Sequence, residues 1–111
     1  GGEVLTPTNT FIATSTAVLF AGGRPVLSEI DPAALCLDIR DVEKRITPKT
    51  RGVVLVHIAG FITPVIEDMH VLCRKHNLFF VEDAAHAHGS SYKGVKAGAW
   101  GDAAVFSCLA T

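Results

Sequence analysis

The stretch from Phe79 to Gly89 reads FFVEDAAHAHG and combines an apolar run with the acid Asp83 and two histidines. Residues 78–81 lack polar alternation, which predicts a strand buried on both faces of a parallel sheet. Asp83 follows at the carboxyl end of this strand, where open α/β sheets bind their ligands. The two alanines after it would let a flat ring approach the backbone. The stretch therefore indicates an acid aimed at a cofactor, although a lone acid at a strand end more often only caps a turn.

Apolar, strand-like runs alternate with helical patterns along the rest of the chain. We expect strands at residues 4–5, 25–30, 53–56, 78–81 and 103–106, and helices at residues 10–21, 38–46 and 65–76. Asn9 or Thr10 is expected to cap the first helix, and Asp38 the second. The alternation of strands and helices predicts an α/β fold with a mostly parallel sheet flanked by helices.

Right-handed crossovers place the loops that follow parallel strands on one edge of the sheet. Four segments should therefore meet there: residues 9–11, His57, residues 83–88 and Ser107. An aromatic, an acid, a histidine and a hydroxyl are the groups that hold a planar, charged heterocycle with a phosphate. Each of these residues taken singly is more often structural, and we interpret His57 and His88 as structural.

Composition and charge exclude several classes of protein. The 111 residues carry a formal net charge of −1, so the chain offers no basic surface for nucleic acid or for a membrane. No apolar run approaches the roughly 18 residues that span a bilayer, and the first residues do not resemble a signal peptide. We therefore expect a cytoplasmic protein. The hydrophobic fraction of 49% is high for an independent domain and suggests a piece of a larger core.

The three cysteines, Cys36, Cys73 and Cys108, are too far apart in sequence to form a CxxC pair or a disulfide framework, and we expect free, buried thiols. His70, Cys73 and His76 follow one another at intervals of three and fall on a broad face of one predicted helix. Cys73, however, continues the apolar stripe of that helix, and no fourth ligand lies nearby. We therefore interpret the trio as core rather than as a metal site.

Five segments, in this order, carry a resemblance to a known family: TPTNTFIAT, AGGRPVLSEID, ITPKTRGVVLVHIAG, VEDAAHAHGSSYKGVKAG and GDAAVFSCLAT. Together they resemble the DegT/DnrJ/EryC1/StrS family of pyridoxal 5'-phosphate (PLP) enzymes, the nucleotide-sugar aminotransferases of fold type I. The resemblance implies that residues 1–111 form part of the PLP-binding large domain. The implied partners are a nucleotide-linked keto-sugar and an amino donor, glutamate or glutamine, in a homodimeric full-length enzyme.

The resemblance also implies cofactor contacts for five residues: Phe11, Asp83, Ala85, His86 and Ser107. Asp83 matches the acid that pairs with the pyridine nitrogen, and a carboxylate there would keep that nitrogen protonated. Phe11 matches the aromatic that stacks on one face of the ring, and Ala85 the small residue on the other. His86 stands where relatives carry glutamine or histidine beside the phenolic oxygen. Ser107 matches the hydroxyl that contacts the phosphate.

The pattern of the family extends beyond both ends of this sequence. The lysine that holds the cofactor covalently would come one position after Thr111, the main phosphate loop before Gly1, and a small C-terminal domain later. The lysines at positions 44, 49, 75, 93 and 96 do not match the catalytic one, so we expect the 111-residue chain itself to be inactive. Two alternatives stay open. One is a deoxysugar dehydratase of the same family, with histidine in place of that lysine, and the other is a regulatory paralogue without the chemistry.

Overall fold

A computed structural model describes residues 1–109, and within this range the chain folds into alternating strands and helices. The strands are β1 (Glu3–Pro7), β2 (Arg24–Ser28), β3 (Ile30–Asp31), β4 (Cys36–Leu37), β5 (Thr50–Val56), β6 (Phe79–Asp83), β7 (Ser91–Tyr92), β8 (Val95–Lys96) and β9 (Ala103–Val105). The α-helices are α1 (Ala13–Phe20), α2 (Ile39–Arg45) and α3 (Val65–Lys75), and a short 3-10 helix covers Ile58–Gly60. None of the helices in this range has the length and apolar character to cross a membrane.

Five strands form one sheet in the order β2-β1-β5-β6-β9, and every neighbouring pair is parallel. The other four strands make two antiparallel hairpins, β3 with β4 and β7 with β8. Parallel pairing requires each connection to cross back over the sheet, so the carboxyl ends of all five strands lie along one edge. The predicted α/β class with a mostly parallel sheet is confirmed.

The buried core lies between one face of the sheet and helices α2 and α3. Alternate strand residues and the apolar stripes of the two helices meet there, among them Leu5, Val42, Val53, Leu55, Ile66, Met69, Leu72, Cys73 and Phe80. Helix α1 lies on the opposite face of the sheet, where it packs beside Val4 and leaves a cavity. Burial of the apolar core is the main force that holds the layers together and keeps the carboxyl edge in place.

Strand β6 is buried on one face and partly open on the other, whereas the sequence predicted burial on both faces. Phe80 and Glu82 are fully buried, but Phe79 is 41% exposed and Val81 is half-buried. The reason is that Phe79 and Val81 point to the side of α1, which covers only part of that face. The ring of Phe79 lies instead over Gly52, its partner in β5.

The start of helix α1 differs from the prediction. The N-cap is Ile12, which makes no side-chain capping hydrogen bond, so neither Asn9 nor Thr10 caps the helix. Both side chains are engaged elsewhere. Asn9 donates from Nδ2 to the carbonyl of Leu35, and the Thr10 hydroxyl lies 2.8 Å from the hydroxyl of Thr14.

The strand predicted at residues 25–30 is divided, because β2 ends at Ser28 and the chain then enters β3. The carboxylate of Asp41 accepts hydrogen bonds from the Ser28 hydroxyl and from the N–H of Glu29, at 2.7 and 2.8 Å, and these bonds hold the chain out of the sheet. Asp38 caps α2 as predicted, by accepting a hydrogen bond from the N–H of Arg40.

The segment between β6 and β9, for which the sequence predicted neither strand nor helix, contains the hairpin of β7 and β8. Its turn consists of Lys93 and Gly94, whose φ angles are 49° and 78°. Two consecutive residues with positive φ are what a two-residue hairpin turn requires, and the right-handed twist of the flanking strands favours this turn. The hairpin makes the loop a second, ordered unit beside the carboxyl edge.

Candidate active site

Asp83 ends β6 at the carboxyl edge of the sheet, paired with Val56 of β5 on one side and Val105 of β9 on the other. Its Oδ2 accepts a hydrogen bond from the hydroxyl of Thr14 at 3.0 Å, and its Oδ1 accepts one from the N–H of Ala85 at 3.2 Å. An ionised carboxylate offers about four lone-pair sites, so about two remain for a ligand. Asp83 is therefore a fixed carboxylate with spare acceptor capacity.

Helix α1 links Asp83 to Phe11, another of the predicted site residues. Thr14 lies in the first turn of α1, and its N–H donates to the carbonyl of Phe11 at 3.1 Å. Thr14 thus binds Asp83 through its side chain and Phe11 through its backbone. Phe11 is 78% exposed, so its ring has no packed position within the described chain. Sequence reasoning missed Thr14, because several hydroxyls surround it in TNTFIATST and no pattern shows which one faces the acid.

A cavity of about 620 Å³ runs along the open face of the sheet, and Asp83 and Thr14 belong to its lining. Most of the lining is apolar and comes from the strands and α1, including Val54, Val81 and Val105. The other four predicted site residues do not line this cavity. They follow the carboxyl ends of β1, β6 and β9, so the candidate site is the end of the cavity at that edge rather than the cavity as a whole.

The segment after β6 turns tightly along the carboxyl edge. The N–H of Ala87 donates to the carbonyl of Ala84, and both alanines are fully buried. Ala85 is half-buried and His86 is exposed. The carbonyl oxygen of His86 lies against Gly60, where an added Cβ would come within 2.8 Å of it. The turn therefore fixes His86 through its backbone and leaves its imidazole free.

Ser107 lies two residues beyond Val105, the β9 residue that pairs with Asp83. Its side chain is half-buried, and its Oγ accepts a hydrogen bond from the N–H of Leu109 at 3.2 Å. This contact uses an oxygen lone pair and not the hydroxyl proton. Ser107 can therefore still donate a hydrogen bond to an anion at the edge.

His57 and His88, which we interpret as structural, have different surroundings. His57 is fully buried, and its Nε2 lies 2.8 Å from Oε2 of Glu82, which is also fully buried. His88 is exposed, and its ring centre lies 5.3 Å from that of Phe106. Sequence reasoning did not single out Glu82, although an acid within an apolar strand is itself a signal of a paired or hydrogen-bonded carboxylate.

The trio of His70, Cys73 and His76 lies on α3 and does not converge on one point. Cys73 is fully buried in the core, as predicted, and burial raises the pKa of its thiol to about 11. The Nδ1 of His70 lies 2.9 Å from the carbonyl of Trp100. Cys108 is exposed, which corrects the expectation that all three thiols are buried. Among residues 1–109, no cluster of three or more histidines, cysteines and acids has the arrangement of a metal site.

The sequence of the chain is similar to those of curated proteins that include named aminotransferases. The chain is 42% identical over 110 residues to GDP-perosamine synthase of Caulobacter vibrioides, and 37% identical over 107 residues to L-glutamine:2-deoxy-scyllo-inosose aminotransferase of Streptomyces lividus. Each match covers 96% of the chain, but only 29% and 25% of the respective relative. The chain thus spans less than a third of the length of these curated relatives.

Solved structures show the same fold. DesI, determined in the presence of its TDP-sugar product, matches with a TM-score of 0.89 and 40% identity, over 95% of this chain and 26% of that one. NtdA of Bacillus subtilis, with bound cofactor PMP, matches with a TM-score of 0.79 and 34% identity, over 88% of this chain and 22% of that one. A family model described as the DegT/DnrJ/EryC1/StrS aminotransferase family covers residues 1–111 in full. The chain therefore belongs to the DegT/DnrJ/EryC1/StrS aminotransferase family.

Proposed function

We propose that this chain is the PLP-binding core of a cytoplasmic, homodimeric aminotransferase that moves an amino group from glutamate or glutamine to a nucleotide-linked keto-sugar. The observation that carries this proposal is the carboxylate of Asp83, which Thr14 and Ala85 hold at the carboxyl edge of the parallel sheet. Membership of the family supports it, as does similarity to proteins named for GDP-linked and TDP-linked sugars.

The residues at the carboxyl edge fit PLP in three respects. The carboxylate of Asp83 keeps about two acceptor sites free, which suits the N–H of a pyridinium ring. The residues that follow it are Ala84 and Ala85, so no side chain larger than a methyl group stands directly after the acid. The hydroxyl of Ser107 keeps its proton free to donate to a phosphate oxygen, because it accepts, rather than donates, the hydrogen bond with the N–H of Leu109.

When bound, PLP supplies an electron-accepting pyridinium ring that carries the amino group between donor and acceptor. Asp83 would hold a proton at the pyridine nitrogen, because a nearby carboxylate favours the charged form of its partner. Thr14 and the N–H of Ala85 would orient the carboxylate without cancelling its charge, since both are neutral donors. Asp83 is thus proposed as the residue that maintains the electron-accepting form of the ring.

The other proposed contacts surround that acid. Phe11 would lie on one face of the ring, Ala85 on the other, and His86 beside the phenolic oxygen. Ser107 would bind the phosphate. We assign the lysine that holds the cofactor, the main phosphate loop and the small domain to parts of the full-length protein outside residues 1–111.

Asp83→Asn in the full-length gene product tests the proposal. The neutral amide cannot hold the proton at the pyridine nitrogen, so we expect PLP binding to stay detectable while kcat falls at least about 100-fold. Asp68→Asn is the matched control, because Asp68 is an exposed acid on α3 and should leave kcat unchanged. Near-normal turnover in Asp83→Asn would sink the assignment.

The acceptor is tested by incubating the wild-type protein with PLP, glutamate or glutamine, and a panel of acceptors that contains GDP-linked keto-sugars, dTDP-linked keto-sugars and 2-deoxy-scyllo-inosose. Mass spectrometry should detect a product in which an amine replaces the keto oxygen. A product that has lost a hydroxyl without gaining nitrogen would favour the dehydratase alternative. Amination of 2-deoxy-scyllo-inosose alone would contradict the nucleotide-linked acceptor.

A further inference from the structure

Glu82 is a fully buried carboxylate that is surrounded by hydrogen-bond donors. Its Oε2 accepts a hydrogen bond from the N–H of Gly98 at 2.8 Å and lies 2.8 Å from Nε2 of His57. Its Oε1 accepts hydrogen bonds from the N–H groups of Trp100 and Gly101, at 2.7 and 2.6 Å. The roughly four lone-pair sites of a carboxylate are therefore all in use.

The carboxylate of Glu82 is ionised. Burial raises its pKa, but the hydrogen bonds from His57 and from the three backbone N–H groups outweigh burial, and the net shift of the pKa is downward. Because an ionised carboxylate only accepts, Nε2 of His57 donates to it. No lysine or arginine within residues 1–109 forms an ion pair with Glu82. The cost of desolvation offsets much of the stability that a buried charge of this kind could add, so its main effect is on the geometry of its donors.

Three of the four donors belong to one turn, residues 98–101, and this turn leads into β9. A Cβ on Gly101 would come within 2.6 Å of the Phe80 carbonyl oxygen, so the turn lies directly on β6. Strand β9 has three residues and stands at the end of the described sheet, where it pairs with β6. A strand this short has few ladder hydrogen bonds of its own. The bonds to Glu82 therefore help to decide where β9 begins.

The fourth donor to Glu82 is His57, which connects this hydrogen-bond network to β5. His57 follows β5 directly, and its N–H donates to the carbonyl of Asp83 at 3.0 Å while its ring donates to Glu82. Successive residues of a strand point to opposite faces, so Glu82 and Asp83 act on opposite sides of β6. One buried carboxylate thus ties the ends of β5, β6 and β9 together behind the candidate site.

We propose that Glu82 is a positioning residue that sets the place of Ser107 relative to Asp83. Glu82 holds the turn 98–101 by hydrogen bonds, and this turn leads into β9. Within β9, Val105 pairs with Asp83, and Ser107 follows two residues later. This role rests on the proposed function, in which Asp83 contacts the pyridine nitrogen and Ser107 the phosphate of one PLP molecule. Glu82 then sets the distance between Asp83 and Ser107 to fit the cofactor, although Glu82 itself makes no contact with the cofactor.

Glu82→Gln in the full-length protein tests this role. The substitution keeps the shape of the side chain but places an NH₂ group where one oxygen accepted two hydrogen bonds. In either orientation of the amide, the NH₂ faces at least one backbone N–H, so the turn 98–101 loosens. We expect the Kd for PLP to rise about ten- to hundredfold. The circular dichroism of the bound cofactor should change at saturating PLP, and the amides of residues 98–105 should exchange faster in the cofactor-free protein.

Asp41→Asn is the matched control for a general loss of stability. Asp41 also accepts hydrogen bonds from side-chain and backbone donors, but it does so beside β2, at the other end of the sheet from β9. This variant should be less stable than the wild type and should keep its Kd for PLP and its cofactor spectrum. His57→Asn removes one donor and covers the case in which Glu82→Gln does not fold. Its Kd should rise about threefold or more.

The positioning role would be overturned if Glu82→Gln had the same Kd for PLP and the same cofactor circular dichroism as the wild type. If Glu82→Gln does not fold, an unchanged Kd and spectrum in His57→Asn would overturn it. An equal rise of Kd in Asp41→Asn would also overturn it, because loss of stability would then explain the effect. Failure of the proposed function gives a different result. In that case the wild type itself binds no PLP, or Asp83→Asn keeps normal turnover, and the role of Glu82 falls with it.

Discussion

The hydroxyl of Thr14 donates to Oδ2 of Asp83 at 3.0 Å, although 69 positions separate the two residues in the chain. Thr14 lies in the first turn of α1, and only 7% of the residue is exposed. The bond therefore joins the helix on the open face of the sheet to the carboxyl end of β6. It makes Thr14 a support of the acid that the proposed function places against the pyridine nitrogen.

Thr14→Val keeps the shape of the side chain and removes this donor. A hydrogen bond to a charged group contributes about 1.5–3 kcal/mol, so we expect kcat of the full-length protein to fall about ten- to hundredfold, with weaker PLP binding. Thr16→Val is the matched control, because the Thr16 hydroxyl donates to the carbonyl of Ala13 and does not face Asp83. Steady-state kinetics and titration with PLP check the expectation. Equal values for the two variants would show that Asp83 does not need Thr14.

Gly60 offers a test of the backbone position of His86. Its φ angle is +82°, and an added Cβ would come within 2.8 Å of the His86 carbonyl oxygen. Gly60→Ala should therefore strain the backbone and displace His86. Gly89→Ala carries only the strain, because Gly89 has a φ of +78° and open space where its Cβ would lie.

Gly89→Ala should lower the free energy of unfolding by about 1 kcal/mol, and Gly60→Ala should lower it by more, because only Gly60→Ala adds a steric clash to the backbone strain. Only Gly60→Ala should also weaken PLP binding, because only that substitution moves the turn that carries His86. Thermal unfolding measures the loss of stability, and titration with PLP measures the change in cofactor binding. If Gly60→Ala binds PLP as Gly89→Ala does, the position of His86 does not matter for the cofactor.

The place of Asp83 was predictable from the sequence, whereas its support was not. Continuous apolar runs indicate parallel strands, and the residues that end such a strand must lie at the carboxyl edge whatever the details of packing. Which hydroxyl reaches Asp83 depends on where α1 begins. That helix starts at Ala13, three residues later than predicted, because Asn9 and Thr10 are engaged elsewhere and do not cap it.

The network around Glu82 was unpredictable for a different reason. Strand alternation shows that Glu82 points away from the site, but three of its four donors are backbone N–H groups of residues 98–101. Every residue except proline has such a group, so side-chain identity does not reveal the network. Gly98 and Gly101 are the sequence features that indicate the network. Gly98 adopts a positive φ, and Gly101 allows close approach to β6.

Asp41 gives the fold a dependence on pH. Its carboxylate accepts hydrogen bonds from Arg45 at 2.5 Å, from the Ser28 hydroxyl and from the N–H of Glu29. The hydrogen bond from Arg45 is the largest cause that lowers the pKa of Asp41 to about 2. A carboxyl with a lowered pKa in the folded state stabilises the fold above its unfolded pKa of about 3.9, and this stabilisation is lost as pH falls through the folded value.

Asp41→Asn should therefore lower the free energy of unfolding by about 1–2 kcal/mol near neutral pH. This figure is reduced from the full pKa shift because Arg45 is 38% exposed and solvent screens the pair. The difference between wild type and variant should shrink as pH falls from about 4 to about 2. Urea unfolding of both proteins at several pH values measures this difference in the free energy of unfolding. A difference that stays constant over this range would contradict the role of Asp41.

The open face of the sheet determines how the 111-residue chain should behave when it is expressed alone. Phe79 is 41% exposed and Val105 is 58% exposed on this face, and the cavity above them is lined mostly by apolar side chains. Monomeric proteins rarely expose a large continuous apolar surface. We therefore expect the isolated chain to self-associate, and size-exclusion chromatography with light scattering measures the association.

Val105→Lys should reduce this association, because it places a charge on the apolar face. Val71→Lys is the matched control, since Val71 is 64% exposed on α3, which packs against the opposite face of the sheet. If the open face drives association, Val105→Lys should lower the mean mass of the particles and Val71→Lys should not. A wild-type 111-residue chain that is monomeric and melts in one sharp, cooperative transition would contradict the expectation, because its open face would then need no cover.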